Sequence, residues 1–323
     1  MTEAPIRWGI LGAAKFALEH MGPAIHAARS AELAGLATSS EKKAEPFKAF
    51  APKLKVYSSY DAMLADPEID AVYIPLPNHI HVEWTLKALA AGKPVLTEKP
   101  IAMVDKDFDT LISARDAAGV LAAEAYMIVH HPQWQKARDL VADGAIGRLM
   151  HVRGAFCYDN SGDPGNIRNR PETGGGSIRD IGVYTMGSTR FVSGAEPGDV
   201  RARITWENDV DVLALVSAEF PGFTMETMTS MRLSPYQEMA FFGDKGTLRL
   251  TAPFNAGVYG EANVIFQDTS GAISSWRYPQ ANHYVNQVEA FCRSVRYGDA
   301  FACPLEFSRG TQTMIDKVFA AAS

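Results

Sequence analysis

The chain has 323 residues, 47% of them hydrophobic and 21% charged, enough for two cores of roughly 100 to 200 residues each. Its net charge of −6, from 31 basic and 37 acidic side chains, lacks the basic excess with which nucleic-acid binders displace counterions, so no nucleic-acid partner is expected. The opening Met1-Thr2-Glu3-Ala4-Pro5-Ile6-Arg7 has no basic segment followed by an apolar one, and no apolar run reaches the roughly 18 to 20 residues that cross a bilayer. Neither export nor a membrane partner is therefore expected. Cys157, Cys292 and Cys303 are odd in number and lack metal-ligand spacing, which fits reduced thiols in a cytoplasm better than a disulfide framework.

In chain order, the apolar run Ile6 to Leu11 stops at Gly12, and Leu18, Met21, Ile25 and Ala28 then recur at helical spacing up to Arg29. Further strands are expected at Glu32 to Ala37, Lys55 to Tyr57, Ala71 to Ile74, Pro94 to Thr97 and Val120 to Ala123. Helices over Tyr60 to Ala65, His81 to Ala91 and Asp105 to Ala118 separate them. Strands alternating with helices through short connections force parallel pairing, because each crossover returns the chain to the same end of the sheet. Residues 1–123 thus read as one α/β domain. From Glu124 the pattern changes: after a helix through Pro132 to Asp143, apolar and polar residues alternate at Leu149 to Tyr158, Val200 to Trp206, Val212 to Phe220 and Thr224 to Met231. Pro221-Gly222 and Asp244-Lys245-Gly246 punctuate these runs as hairpin turns would. Residues 124–323 therefore read as an antiparallel sheet with a few helices, expected to pack closely on the first domain with a ligand between the two.

The turn Gly12-Ala13-Ala14-Lys15-Phe16-Ala17 follows a strand and opens a helix. A glycine there lets the backbone bend sharply and bring amides to a pyrophosphate, whose charge suits the positive end of the helix. Only the first position of Gly12-x-Ala14-x-x-Ala17 is glycine, so plain packing is the competing reading; the alternating elements that follow favour a dinucleotide. An acid at the end of the second strand would bind ribose hydroxyls and repel a 2′-phosphate. This chain has Thr38, Ser39 and Ser40 there, then Glu41, Lys42 and Lys43. Three hydroxyls and two ammonium groups favour NADP over NAD, although Glu41 opposes a phosphate. A solvated loop with Ser40 as a helix N-cap is the structural alternative.

Lys99, in Glu98-Lys99-Pro100, follows the fifth strand at the carboxyl end of the expected sheet, where open α/β folds bind ligands. Alone it would read as a surface lysine. Its support is Gly174-Gly175-Gly176-Ser177-Ile178-Arg179-Asp180-Ile181-Gly182-Val183-Tyr184, in which three glycines precede a helix carrying Asp180 and Tyr184 on one face. Moving a hydride at a carbon that bears a hydroxyl also requires moving the hydroxyl proton. A tyrosine is a poor base at neutral pH, and a neighbouring lysine cation stabilises its phenolate and the developing alkoxide alike. Lys99 with Tyr184 makes such a pair, with Asp180 orienting one of them or a substrate hydroxyl. His79, after Asn78 at the end of the fourth strand, is expected near the nicotinamide. No third ligand accompanies His79 with His81, or His130 with His131, so no metal is expected. Tyr126, Trp134, Phe156, Tyr158 and Phe254 either wall a pocket or fill cores. Asn282-His283-Tyr284 precedes a helix and could reach the cleft, but is not assigned to the site.

Taken together, Trp8-Gly9-Ile10-Leu11-Gly12-Ala13-Ala14-Lys15, Pro75-Leu76-Pro77-Asn78-His79, Glu98-Lys99-Pro100, Glu124-Ala125-Tyr126-Met127 and Gly174 through Tyr184 resemble the Gfo/Idh/MocA family of oxidoreductases. Pro164-Gly165-Asn166-Ile167-Arg168 and Tyr184 are similar to its branch of NADP-dependent xylose dehydrogenases and dimeric dihydrodiol dehydrogenases. The resemblance implies a Rossmann domain, a doubly wound parallel sheet, followed by an α/β domain on an open, mostly antiparallel sheet often used for dimerisation. It implies Lys99 and Tyr184 as catalytic residues and a Lys99-Pro100 bond that is cis. It also implies cofactor contacts from Gly12, Ala14, Lys15, Phe16, Pro75, Leu76, Asn78, His79, Glu98 and Lys99, with Tyr126, Arg168 and Asp180 joining Lys99 and Tyr184 around the substrate. Two departures stand out. Ser39 occupies a place where that branch often has arginine. Arg170 is either an added cation that favours an acidic sugar or a surface residue.

The expectation is an NAD(P)-dependent oxidoreductase that transfers a hydride between nicotinamide and a sugar, cyclic polyol or dihydrodiol carbon, as a homodimer or higher homo-oligomer. Two alternatives stay open: a glycosidase that keeps tightly bound NAD, and a non-enzymatic dinucleotide-binding sensor. Lys99 together with Tyr184 argues against the sensor, which needs no proton transfer.

Overall fold

The structure is a computed structural model and describes residues 3–322. The chain forms two compact units, residues 1–130 with 283–308 and residues 131–282 with 309–323. A single cut after residue 123 does not reproduce this division: the chain leaves the first unit at His130 and returns to it at His283.

In the first unit, β1 (Ile6–Leu11) leads through a π turn (Ala17–Met21) to α1 (Gly22–Ala27), then β2 (Ala31–Ala37), α2 (Glu41–Lys48), β3 (Lys55–Tyr57), α3 (Tyr60–Leu64), β4 (Ala71–Ile74), α4 (His81–Ala90), β5 (Val95–Thr97), α5 (Asp107–Ala118) and β6 (Ala122–Glu124). The six strands pair in parallel in the order β3-β2-β1-β4-β5-β6. Chain direction across the sheet reverses between β1 and β4, and ligand crevices open at the carboxyl ends of strands at such a point. β4 is buried along its whole length, as a central parallel strand covered on both faces must be. Leu11, Val72, Ile74 and Val95 from the strands pack with Leu89, Phe108 and Leu111 from the helices. The expected helix over Leu18 to Arg29 differs in its first turn and its end. Gly22 N–H reaches back to Ala17 O, which makes the start a π turn, and Ala28 is extended (φ −70°, ψ 130°), so the helix stops at Ala27.

The second unit carries α6 (Pro132–Ala142), β7 (Leu149–Asp159), α7 (Val183–Ser193), β8 (Val200–Glu207), β9 (Val210–Phe220), β10 (Phe223–Ser230), β11 (Arg232–Gly243), β12 (Gly246–Leu250), β13 (Asn263–Asp268) and β14 (Ile273–Arg277). Eight strands form one sheet in the order β14-β13-β12-β11-β7-β10-β9-β8. All neighbours are antiparallel except β7 and β10, which run parallel. Along β10, Phe223, Met225 and Thr227 are buried while Thr224 and Glu226 are exposed, the period of a sheet with one covered face. Pro221-Gly222 and Asp244-Lys245 make the expected hairpins. The amphipathic α8 (His283–Tyr297) belongs to the first unit, and α9 (Leu305–Ala320) closes the described chain.

Candidate active site

In the first unit, the expected cofactor residues gather at the carboxyl ends of the parallel strands. Gly12, directly after β1, has φ +104° and donates its N–H to Ala37 O at 2.9 Å. A Cβ there would lie 3.0 Å from Leu76 Cδ2 and 3.3 Å from the Tyr60 hydroxyl, so both conformation and space call for glycine. Ala14 O takes the N–H of Leu18, and exposed Lys15 and half-buried Phe16 open the helical segment. After β2, Thr38 is buried and its hydroxyl accepts the Ser40 N–H at 3.3 Å. Ser39 is exposed; Ser40 is the N-cap of α2, but no hydrogen bond from its side chain caps the helix. Lys42 and Lys43 are exposed, and Glu41 carries Lys48 at 3.1 Å, which offsets its charge.

The loops after β4 and β5 are tied by His81. Its ring nitrogens stand 2.8 Å from Pro100 O and 2.6 Å from Leu76 O, and burial pushes its pKa down to about 4. Pro75 and Leu76 are buried, Asn78 is partly buried and His79 is exposed. The Lys99-Pro100 bond is cis. Glu98 Oε1 accepts the Tyr73 hydroxyl at 2.6 Å and Oε2 the Lys99 N–H at 3.3 Å. Burial raises its pKa to about 6 against the opposing pull of Tyr73 and Lys99. Glu124 Oε1 takes the Ile101 N–H at 2.9 Å and so steadies the far side of the same loop. Tyr126, expected at the substrate, is 1% exposed with its ring 6.1 Å from Phe307.

Sequence reasoning left Tyr284 unassigned and did not single out His20. Tyr284, in the first turn of α8, stacks on His20 at 5.3 Å and meets Phe16 edge-on at 5.7 Å. Its phenol pKa is raised by burial and by the charge of Glu98. Nothing in the local pattern around residue 284 signals a return to the glycine turn; only the aromatic run His283-Tyr284 at a helix start marks the place.

In the second unit, the glycine segment and the start of α7 bring Arg168, Asp180 and Tyr184 together. Gly175 and Gly176 donate to Arg170 O and Arg168 O at 3.1 and 3.0 Å, folding the loop against the helix start. A π turn (Ile178–Gly182) carries Asp180 and α7 carries Tyr184. Inserted π turns frequently mark functional positions. Asp180 Oδ2 accepts the Tyr158 hydroxyl at 2.6 Å and pairs with Arg168 Nε at 2.9 Å. The Arg168 guanidinium is held charged mainly by Asp180, with Tyr158 and Tyr184 contributing. The Tyr184 ring, 5% exposed, lies against Phe156 and Phe254 at 5.8 and 5.7 Å. Arg170 is exposed and bonded to its neighbour Glu172 at 2.7 Å, the surface alternative for that cation. Among the described residues no group of three His, Cys, Asp or Glu side chains is arranged to hold a metal, and no helix is long and apolar enough to cross a membrane.

Residues 6–126 match the family described as an oxidoreductase family with an NAD-binding Rossmann fold, Gfo/Idh/MocA, and residues 134–249 match its C-terminal domain. The chain is 36% identical to an uncharacterized oxidoreductase, ORF334, of Rhizobium meliloti, over 97% of this chain and 96% of that one. It is 30% identical to an NADP(+)-dependent D-xylose 1-dehydrogenase of Haloferax volcanii, over 98% and 97% of the two chains. Its fold matches the crystal structure of a 3-ketoreductase from Actinomadura kijaniata in complex with NADP and TDP-benzene, with a TM-score of 0.89 and 27% identity over 98% of each chain.

Proposed function

The chain belongs to the Gfo/Idh/MocA family of NAD(P)-dependent oxidoreductases, and on that premise we propose that it is an NADP-dependent dehydrogenase or reductase acting on a sugar, cyclic polyol or dihydrodiol carbon. The observation that carries this reading is the Tyr184 phenol, held in an aromatic wall with the Arg168–Asp180 pair beside it. It is supported by the relatives, a dehydrogenase and a ketoreductase rather than a hydrolase.

The first unit suits a dinucleotide: Gly12 opens a turn that a side chain would obstruct, at the switch point of a parallel sheet. In this reading the turn from Gly12 to Phe16 would hold the pyrophosphate. Ser39, Ser40, Lys42 and Lys43 would hold the 2′-phosphate, and Pro75, Leu76, Asn78, His79 and Glu98 would border the nicotinamide. When bound, the nicotinamide gives or takes the hydride. Tyr184 gives its phenolic proton to the carbonyl oxygen in reduction and takes the hydroxyl proton in oxidation. The Lys99 cation stabilises phenolate and alkoxide. Asp180, held by Tyr158 and Arg168, orients a substrate hydroxyl.

The outer face of the eight-stranded sheet exposes Arg153, Arg201, Arg203, Leu215 and Tyr236 beside Glu226, apolar surface with both charge signs. A two-fold contact with a second copy would use both signs, and we assign this face to a homodimer, which light scattering tests. The three cysteines are buried and form no disulfide, which supports a cytoplasmic setting.

The activity is tested by following nicotinamide absorbance with NADP or NAD and a panel of aldoses, sugar acids, cyclic polyols, trans-dihydrodiols and, in reverse, keto sugars. Saturable turnover with one class and a preference for NADP is expected; release of a hydrolysed glycoside without net change in nicotinamide would replace this reading with a hydrolase.

A further inference from the structure

Asp211, the second residue of β9, is 1% exposed, and nothing in the chemistry above uses it. Its carboxylate is aimed at the glycine-led start of the segment that carries Asp180 and Tyr184. Oδ2 accepts the Ser177 hydroxyl at 2.9 Å and the Ile178 N–H at 2.7 Å. Ser177 Oγ lies a further 3.3 Å from Thr229 Oγ1 on β10. Oδ1 occupies the place of a missing side chain: a Cβ on Gly176, whose φ is +120°, would fall 1.9 Å from it. The carbonyl of Gly176 in turn receives the Asp180 N–H at 3.0 Å, and the N–H of Gly176 bonds Arg168 O. Asp211 thus holds Ser177 and Ile178 directly, and the adjoining Gly176 is hydrogen-bonded to the backbone of both partners of the Arg168–Asp180 pair.

Burial raises the Asp211 carboxyl to about 6, opposed by its bonds to Ile178 and Ser177 and by the nearby charge of Arg179. An ionised group in that setting is an expensive way to fill a core, and apolar substitutes of similar volume are often as stable. What an apolar side chain would not do is bind the free N–H groups at a helix start and so fix the helix in rotation and register.

We propose that Asp211 is a positioning residue: by anchoring Gly176, Ser177 and Ile178 it sets where Asp180 and Tyr184 stand, without touching substrate. This rests on the reading of Tyr184 as the proton carrier. Reacting groups misplaced by about 1 Å lose rate by roughly a hundred-fold, so the effect belongs in kcat rather than in cofactor binding.

The test compares Asp211→Ala, Asp211→Asn and Tyr184→Phe by kcat, KM and cofactor Kd, with melting curves to establish that each is folded. Asp211→Ala should lose about ten-fold or more in kcat at an unchanged cofactor Kd, and Asp211→Asn, which retains an acceptor oxygen, should recover most of it. A folded Asp211→Ala with the parent kcat overturns the proposal, as does an equal loss in the Asn variant. Where the Ala variant does not fold, Ser177→Ala replaces it: a drop in kcat supports the anchor and an unchanged kcat counts against it. A fully active Tyr184→Phe instead removes the premise, whereas an inactive Tyr184→Phe beside a fully active Asp211→Ala sinks this inference alone.

Discussion

Tyr158 donates its phenolic hydrogen to Asp180 Oδ2 across 2.6 Å, and the same oxygen takes Arg168 Nε at 2.9 Å. Burial and the adjacent carboxylate drive the Tyr158 pKa up. Tyr158 therefore remains a donor throughout the working range, which in the proposed chemistry leaves proton exchange to Tyr184. Hydrogen bonds to a charged partner contribute about 1.5–3 kcal/mol, so Asp180→Asn should lower kcat/KM by roughly ten- to a hundred-fold. Steady-state kinetics against Tyr158→Phe, which should lose less because Arg168 stays paired, checks the ranking.

Gly12→Ala forces a side chain into φ +104° and toward Leu76 Cδ2. Such backbone strain costs about 1–3 kcal/mol. A lower melting temperature is expected, together with weaker cofactor binding by fluorescence titration, since the strain sits in the turn itself.

Glu98 provides a pH signature. Its folded pKa of about 6 lies above the ordinary 4.5, so the folded state favours the protonated carboxyl. The stabilisation is complete below about pH 4.5 and is lost as pH rises through 6. The melting temperature of Glu98→Gln relative to the parent should therefore rise between pH 4.5 and 7. A relative melting temperature that falls or stays flat over this window would show that burial does not raise the Glu98 pKa.

Ser39 is exposed at the end of β2, where an acid would face an added phosphate. Like charges brought together at a binding site oppose it by several kcal/mol. Ser39→Asp should shift the ratio of kcat/KM for NADP to that for NAD toward NAD by roughly ten-fold or more, and an unchanged ratio removes Ser39 from this role.

Much of the first unit was legible because its periodicity and its ligand-facing turns are local. β1, β3 and β4 fall on the expected residues, and the other strands of that sheet within two residues of them. The parallel pairing of β7 with β10 and the strands from Arg232 onward were not legible. Their partners lie far along the chain, and Ser234-Pro235 interrupts the alternation of β11. Tyr284 stayed unassigned for the same reason: α8 begins where the chain returns to a unit it left at His130. Lys99, Asp180 and Tyr184 were visible as motif residues, whereas the bonds that hold Asp180 come from Tyr158 and Arg168 on other elements and leave no local pattern.

The most direct measurement is the kcat of Tyr184→Phe on the substrate identified by the panel, with cofactor affinity measured in parallel. Loss of a general acid–base group typically lowers rate by about 10²- to 10⁴-fold. A fall of that size at unchanged cofactor affinity is the result expected if Tyr184 moves the proton. A kcat equal to the parent's would contradict that role and, with it, the proposed chemistry of the site.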